Sequence, residues 1–144
     1  MTEVEALQTT LAAEHAAIYV YGVLGARTSE SGSPELYVAL REAYDAHRAR
    51  RDDLTGEIAA EGEAPVAAET AYDLPFGLDT VAGVTRAARG LERACAETYS
   101  ALVAQMTGAR RRQALELLTD AAVRALEFRG TPEIFPGASE YADR

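Results

Sequence analysis

Cysteine occurs once in this 144-residue chain, at Cys95. That excludes an internal disulfide and any metal cage built from cysteine alone. Lysine is missing altogether, and the 14 basic residues are all arginine, a compositional bias that carries no chemistry by itself. Positive charge is scarce overall: the formal net charge is -9, which argues against a nucleic-acid partner because phosphate binding needs a positive surface. No apolar run reaches the ~18 residues of a membrane-spanning helix, so no membrane partner is expected. The opening MTEVEALQTT is acidic and amphipathic, unlike a secretory leader, and the expected location is the cytoplasm. There is no glycine-rich phosphate loop, no nucleophile elbow, and no serine or cysteine with an evident histidine partner.

What remains is helical periodicity. With 48% hydrophobic residues the chain has the composition of a globular domain, and its length suits a single one spanning 1–144. Four amphipathic segments follow one another, and strand-like alternation of comparable length is lacking. The spacing predicts helices over about 2–26, 34–61, 78–107 and 109–129, with a packed tail over 130–144 in which Ile134 and Phe135 cap one end. Ser33 and Pro34 make a helix start; Gly108, Gly130 and Pro132 make stops. Between the second and third helices, residues 62–77 carry two prolines and two glycines. Extended, that stretch reaches roughly 50 Å, against about 40 Å for the second helix, so it can cross the length of a bundle. Its apolar residues Val66, Tyr72, Leu74 and Phe76 predict that it packs on the helices. The expected architecture is therefore all-α, a ferritin-like four-helix bundle of two antiparallel hairpins joined by a long crossover.

The candidate site comes from one residue of the wrong kind on an apolar seam. In the first helix Val4, Leu7, Leu11, Ile18, Tyr21 and Leu24 form the stripe, and Glu14 falls within roughly 30° of its centre. A carboxylate there is costly unless it is paired, hydrogen-bonded or bound to a metal. On the second helix the seam reads Leu36, Leu40, Tyr44, His47, Arg51, Leu54 and Ile58. Counting from the turn sets Glu14 and His47 at one height, and parallel second and third helices bring Glu92 to the same level. The fourth helix, lined by Leu115, Leu118, Ala122 and Ala125, offers only alanine there. Di-iron bundles use one Glu from each of two helices and Glu-x-x-His from each of the others. Here the triplet ending at His47 begins with Tyr44, the fourth helix has no Glu-x-x-His, and Glu92 sits about 60° off its own seam.

Two readings of the layer follow. In the first, Arg51 supplies the positive charge, pairing with Glu14 while Tyr44 and His47 complete a buried polar cluster with His15 at its edge. No cofactor is then expected. In the second, Glu14, His47 and Glu92 hold iron or manganese in an unusual site of a metal-dependent oxidoreductase. A third possibility is a small apolar or aromatic ligand beside Ala122 and Ala125. Tyr19 and His15 beside the first stripe, with Val103 and Val123 outside theirs, suggest a helix-face homodimer.

The strings AAEHAAIYVYGVLGAR, YDAHRARRDDL, AYDLP, the pair Leu91-Glu92 and the closing FRGTPEIFPG, occurring in that order, resemble a ferritin-like domain family of unassigned function from high-GC bacteria. The resemblance implies a ferritin-like fold and a small acidic cytoplasmic protein that dimerises, with recurrent polar positions at Glu14, His15, His47, Arg48 and Arg51. It implies no activity. The expectation that results is a bundle without a complete di-iron site, acting as a dimeric or partner-binding protein, with the metal-dependent oxidoreductase as the alternative.

Overall fold

Four helices and no strand make up the described residues. The computed structural model describes residues 1–138, so the end of the expected packed tail, 139–144, lies outside them. Helix α1 spans Glu3–Ala26, α2 Pro34–Ala60, α3 Val81–Gln105 and α4 Gly108–Glu127. Each start has a local cause. Thr2 and Glu5 form a reciprocal capping box on α1, satisfying two of the amides that a helix start leaves without partners. Thr80 caps α3 by accepting from the Gly83 amide at 3.0 Å. The expected start at Leu78 is therefore three residues early: Leu78 lies in the linker and is buried. Ser33 holds the cap position of α2, but its hydroxyl makes no cap bond and Pro34 in the first turn does the work. Helix α4 stops at Arg129, which takes a left-handed φ of 61°. The Gly130 amide then reaches back to the Ala125 carbonyl at 2.8 Å, closing the end as a Schellman turn.

Side-chain contacts give the directions. Late α1 (Tyr21, Leu24) clusters with early α2 (Leu40) and early α1 (Leu7, Leu11) with late α2 (Leu54, Ile58); Arg89 early in α3 reaches the carbonyls of Phe128 and Arg129 just past α4, so both hairpins are antiparallel. His47 and Arg50 on α2 bond Glu92 and Tyr99 on α3 in the same order along both chains, so α2 and α3 run parallel. The linker 61–80 makes that possible by travelling the length of the molecule. It is tied to one face of α1. The Gln8 amide donates to the Ala64 carbonyl and accepts from the Val66 amide, both at 2.8 Å. His15 donates Nε2–H to the Val66 carbonyl at 3.0 Å, and the rings of Tyr19 and Tyr72 lie 5.6 Å apart.

Apolar packing is divided into two ends and a narrow middle. One end gathers Tyr21, Leu24, Leu40, Leu78, Val84 and Phe128; the other gathers Leu7, Leu11, Leu54, Ile58, Leu102 and Met106. Between them the middle holds Ala17, Cys95, Ala96, Tyr99 and Ala121, and the charged residues sit at this height. No helix among the described residues is long and apolar enough to cross a membrane.

Several expected faces are turned. Helix α4 buries Ala114, Ala121 and Ala125, a stripe rotated by about 60° from the one read off its leucines. Leu115 and Val123 are left 44% and 51% exposed. Val81 in the first turn of α3 is exposed, and Phe76 in the linker is 97% exposed instead of packed. Ile134 and Phe135 stand 78% and 69% exposed and do not bury the end of the molecule; the residue that does is Phe128. The α1 face expected to dimerise through Tyr19 and His15 is covered by the linker.

The linker is in such close contact with α3 that a Cβ on Gly83 would overlap the Gly77 carbonyl. Gly83→Ala is expected to cost about 1–3 kcal/mol of stability. Gly90→Ala, where an added Cβ meets nothing within 4 Å, should gain about 0.5–1 kcal/mol. Urea unfolding of the two variants checks the contrast.

Candidate functional site: a charged layer at the waist

Three side chains with no measurable exposure, Glu14, His47 and Glu92, meet at mid-height from three different helices. His47 Nδ1 lies 2.6 Å from Glu14 Oε2 and Nε2 lies 3.2 Å from Glu92 Oε1. Neutral imidazole carries one N–H and the imidazolium carries two, so two acceptors facing both nitrogens favour the charged ring. Burial opposes that charge, but the bonds and the field of Glu14 and Glu92 outweigh it and hold the His47 pKa above its ordinary value of 6.5.

Two tyrosines complete the carboxylates' bonding in a reciprocal pattern. Tyr21 on α1 donates its hydroxyl to Glu92 Oε1 on α3 at 2.5 Å, and Tyr99 on α3 donates to Glu14 Oε1 on α1. Each helix thus carries a glutamate and, seven residues later, a tyrosine; antiparallel packing gives each tyrosine to the other helix's acid. Burial, and next the facing carboxylate, push both phenols well above the usual tyrosine range, so both remain donors. The Tyr21 ring also stacks on His47, with centroids 5.3 Å apart.

Arginines close the layer. Arg50, buried on α2, donates to the Tyr99 hydroxyl at 3.1 Å and pairs with Asp120 of α4. Arg124 of α4 bonds Asp120 at 3.2 Å and brings its Nε to 3.7 Å from Glu92 Oε1. Ionised, the three acids Glu14, Glu92 and Asp120 balance His47, Arg50 and Arg124.

This differs from the expected cluster at three places. Arg51 is not the counter-charge to Glu14: it pairs with its neighbour Asp52 at the surface, because α2 is rotated by about 30° from the assumed seam and Arg50 turns inward in its place. Tyr44 is half-buried outside the layer, its ring beneath the Arg48 guanidinium. His15 bonds the linker and none of the buried acids. Glu92, placed off its seam by the sequence reading, lies on it, because the buried stripe of α3 runs through Val84, Ala88, Glu92, Cys95, Tyr99 and Leu102. Tyr99, Arg50 and Arg124 were missed. The repeated Glu-x6-Tyr spacing on α1 and α3 was the available signal for Tyr99. Asp120 and Arg124 had none, since both fall on the side of α4 opposite the stripe read from Leu115 and Leu118.

Iron or manganese held by Glu14, His47 and Glu92, as a ferritin-like fold would imply, needs free donors at this height. Both nitrogens of His47, both oxygens of Glu14 and one oxygen of Glu92 are engaged within the protein. Among the described residues, Glu92 Oε2 is a buried carboxylate oxygen without a hydrogen-bond partner, and Arg124 Nε also makes no hydrogen bond. A single free oxygen beside a guanidinium does not fit a metal ion. No group of three or more His, Cys, Asp and Glu side chains among the described residues is disposed to hold one. Nucleophilic chemistry is no better served: burial, then the fields of Glu92 and Glu14, raise the Cys95 thiol well above its usual range and keep it protonated.

A family model described as a domain of unknown function, DUF4439, matches residues 6–140. Among solved structures, the chain is similar to the crystal structure of a conserved hypothetical protein, Rv2844, from Mycobacterium tuberculosis. The TM-score is 0.80 and the identity 32%, over 88% of this chain and 94% of that one. No match is found among curated proteins.

A raised folded-state pKa means that charged His47 stabilises the fold fully below its unfolded value, near 6.5. That stability is lost as pH climbs through the higher folded value. The urea midpoint should therefore fall on raising pH above about 6.5, and His15→Gln should keep that slope. His47→Gln should flatten it and cost about 3–5 kcal/mol, because two buried carboxylates lose their partner.

Proposed function

The chain belongs to the family described as a domain of unknown function, DUF4439. From that premise we propose that it is a single ferritin-like bundle of the cytoplasm whose waist is held by protein charges, where metal-binding bundles place ions. It acts by binding through its surfaces as a homodimer. The ferritin-like reading is supported by two antiparallel hairpins with α2 and α3 parallel across a long linker. The observation that carries the metal-free reading is His47, with both ring nitrogens directed at carboxylates and two guanidinium groups completing the layer.

The dimer reading is supported by α4, where Leu115, Val123 and Leu126 are exposed while Ala114, Ala121 and Ala125 face in. Flanking charge favours a second copy as the occupant. An antiparallel two-fold pairing centred near Thr119 sets Leu115 against the partner's Val123 and Arg112 against the partner's Glu127. Leu115 and Thr119 share that face at helical spacing.

Two measurements test the proposal. Elemental analysis of protein purified without chelator, and again after supply of ferrous iron or manganese, should give far less than one ion per chain. Stoichiometric metal that disappears in Glu92→Ala overturns the metal-free waist. Sedimentation at micromolar concentration should give the mass of a dimer, reduced to that of one chain by Val123→Arg. A one-chain mass for the unaltered protein removes the dimer.

A further inference from the structure

Outside the waist, the α1–α2 hairpin carries a cleft of about 520 Å³, within the range of roughly 300–1,000 Å³ that small-molecule sites occupy. Its α1 wall is low because Gly22 and Gly25 lack side chains there. A Cβ at Gly25 would meet nothing within 4 Å, and one at Gly22 would touch only the Tyr44 ring at 3.8 Å. Glycine inside a helix is destabilising, so two of them facing one opening are not explained by helix formation.

The α2 wall alternates rings and cations. Tyr37, Arg41, Tyr44 and Arg48 follow at spacings of four, three and four, on one face of the helix, and all four line the cleft. Arg41 lies 6.0 Å from the Tyr37 ring centroid and Arg48 lies 5.6 Å from that of Tyr44. Among the described residues neither guanidinium has a carboxylate partner, whereas Arg50 and Arg124 at the waist are paired. Cation–π contacts between exposed groups are weak, so both guanidinium groups can swing to an anion while the phenol rings stay in place. Asp45 also lines the cleft and offsets one of the two positive charges, leaving a single net positive charge in a chain of net -9.

We propose that this cleft binds a small planar aromatic molecule carrying one anionic group, a carboxylate or a phosphate. The ring lies against Tyr37 and Tyr44 over the glycine wall, where offset stacking is available. The anion takes charge-assisted hydrogen bonds from Arg41 and Arg48. The proposal is independent of whether the waist binds metal. It has one physical link to it: Tyr21, a lining residue of the cleft, has its hydroxyl on Glu92.

The test uses the full chain with benzoate and phenyl phosphate as probes, followed by calorimetry and by the backbone amide signals of Gly22 and Gly25. Phenol and inorganic phosphate serve as controls that keep only the ring or only the charge. One or both aromatic anions should bind and shift both glycine signals; preference for benzoate identifies a carboxylate ligand and preference for phenyl phosphate a phosphate. Phenol and inorganic phosphate should bind more weakly by about tenfold or more. Arg41→Ala with Arg48→Ala should weaken the aromatic anion by about tenfold or more as well. At Gly25 an added Cβ meets nothing within 4 Å and leucine improves helix propensity, so Gly25→Leu should fold, as circular dichroism will show, and abolish binding by filling the cleft. The proposal fails if neither aromatic anion shifts the glycine signals at millimolar concentration, if phenol binds as tightly as the tighter of the two aromatic anions, or if Gly25→Leu binds like the unaltered chain.

Discussion

One imidazole held between two buried carboxylates fixes the relation of three helices. Glu14, His47 and Glu92 come from α1, α2 and α3, and each is removed from water entirely. A buried carboxylate without a partner is far more expensive than a missing apolar contact, so any register that separates the three is heavily penalised. Reciprocal bonds from Tyr21 to Glu92 and from Tyr99 to Glu14 set α1 against α3 in height. Arg50, Asp120 and Arg124 then tie α4 to the same layer. Such layers contribute less to net stability than to the choice of one packing among many. In this molecule the apolar clusters above and below would tolerate sliding that the charged layer does not.

Everything at the waist depends on α2 and α3 running in the same direction. Reversed, α3 could not present Glu92 to His47 and Tyr99 to Arg50 in order. The long linker is therefore part of the site's construction even though it touches none of the buried charges. Its own anchoring is polar: Gln8 and His15 hold its backbone and Tyr19 holds Tyr72. That use of α1 leaves the helix without an exposed apolar face of its own, while α4 keeps one.

With the donors of the waist spent on one another, the groups left to meet other molecules lie outside it. The α1–α2 cleft concentrates aromatic rings and unpaired arginines, and α4 shows leucine and valine. The two differ in chemistry, which suits two kinds of contact: a small anion in the first and a protein surface on the second. Tyr21 both lines the cleft and bonds Glu92 in the charged layer.

Much of the scaffold was legible in the amino-acid order. Periodicity alone yields four helices with ends within a few residues of those observed, a linker long enough to cross the molecule, and an acid at position 14 where an apolar residue belongs. Counting from the first turn brings His47 to its height. Side-chain identity at the layer was another matter. On α2, neighbouring residues point about 100° apart, and a rotation of only about 30° exchanges Arg51 for Arg50 and turns Tyr44 outward. On α4 the leucines predict one buried stripe and the alanines bury another, about 60° round the helix, because close approach to α3 needs small residues. Sequence by itself determined the helices, their order and the presence of a misplaced charge. Only packing decided which charges answer it, since a helix's rotation about its axis is set by the neighbours it must fit and not by its own residues.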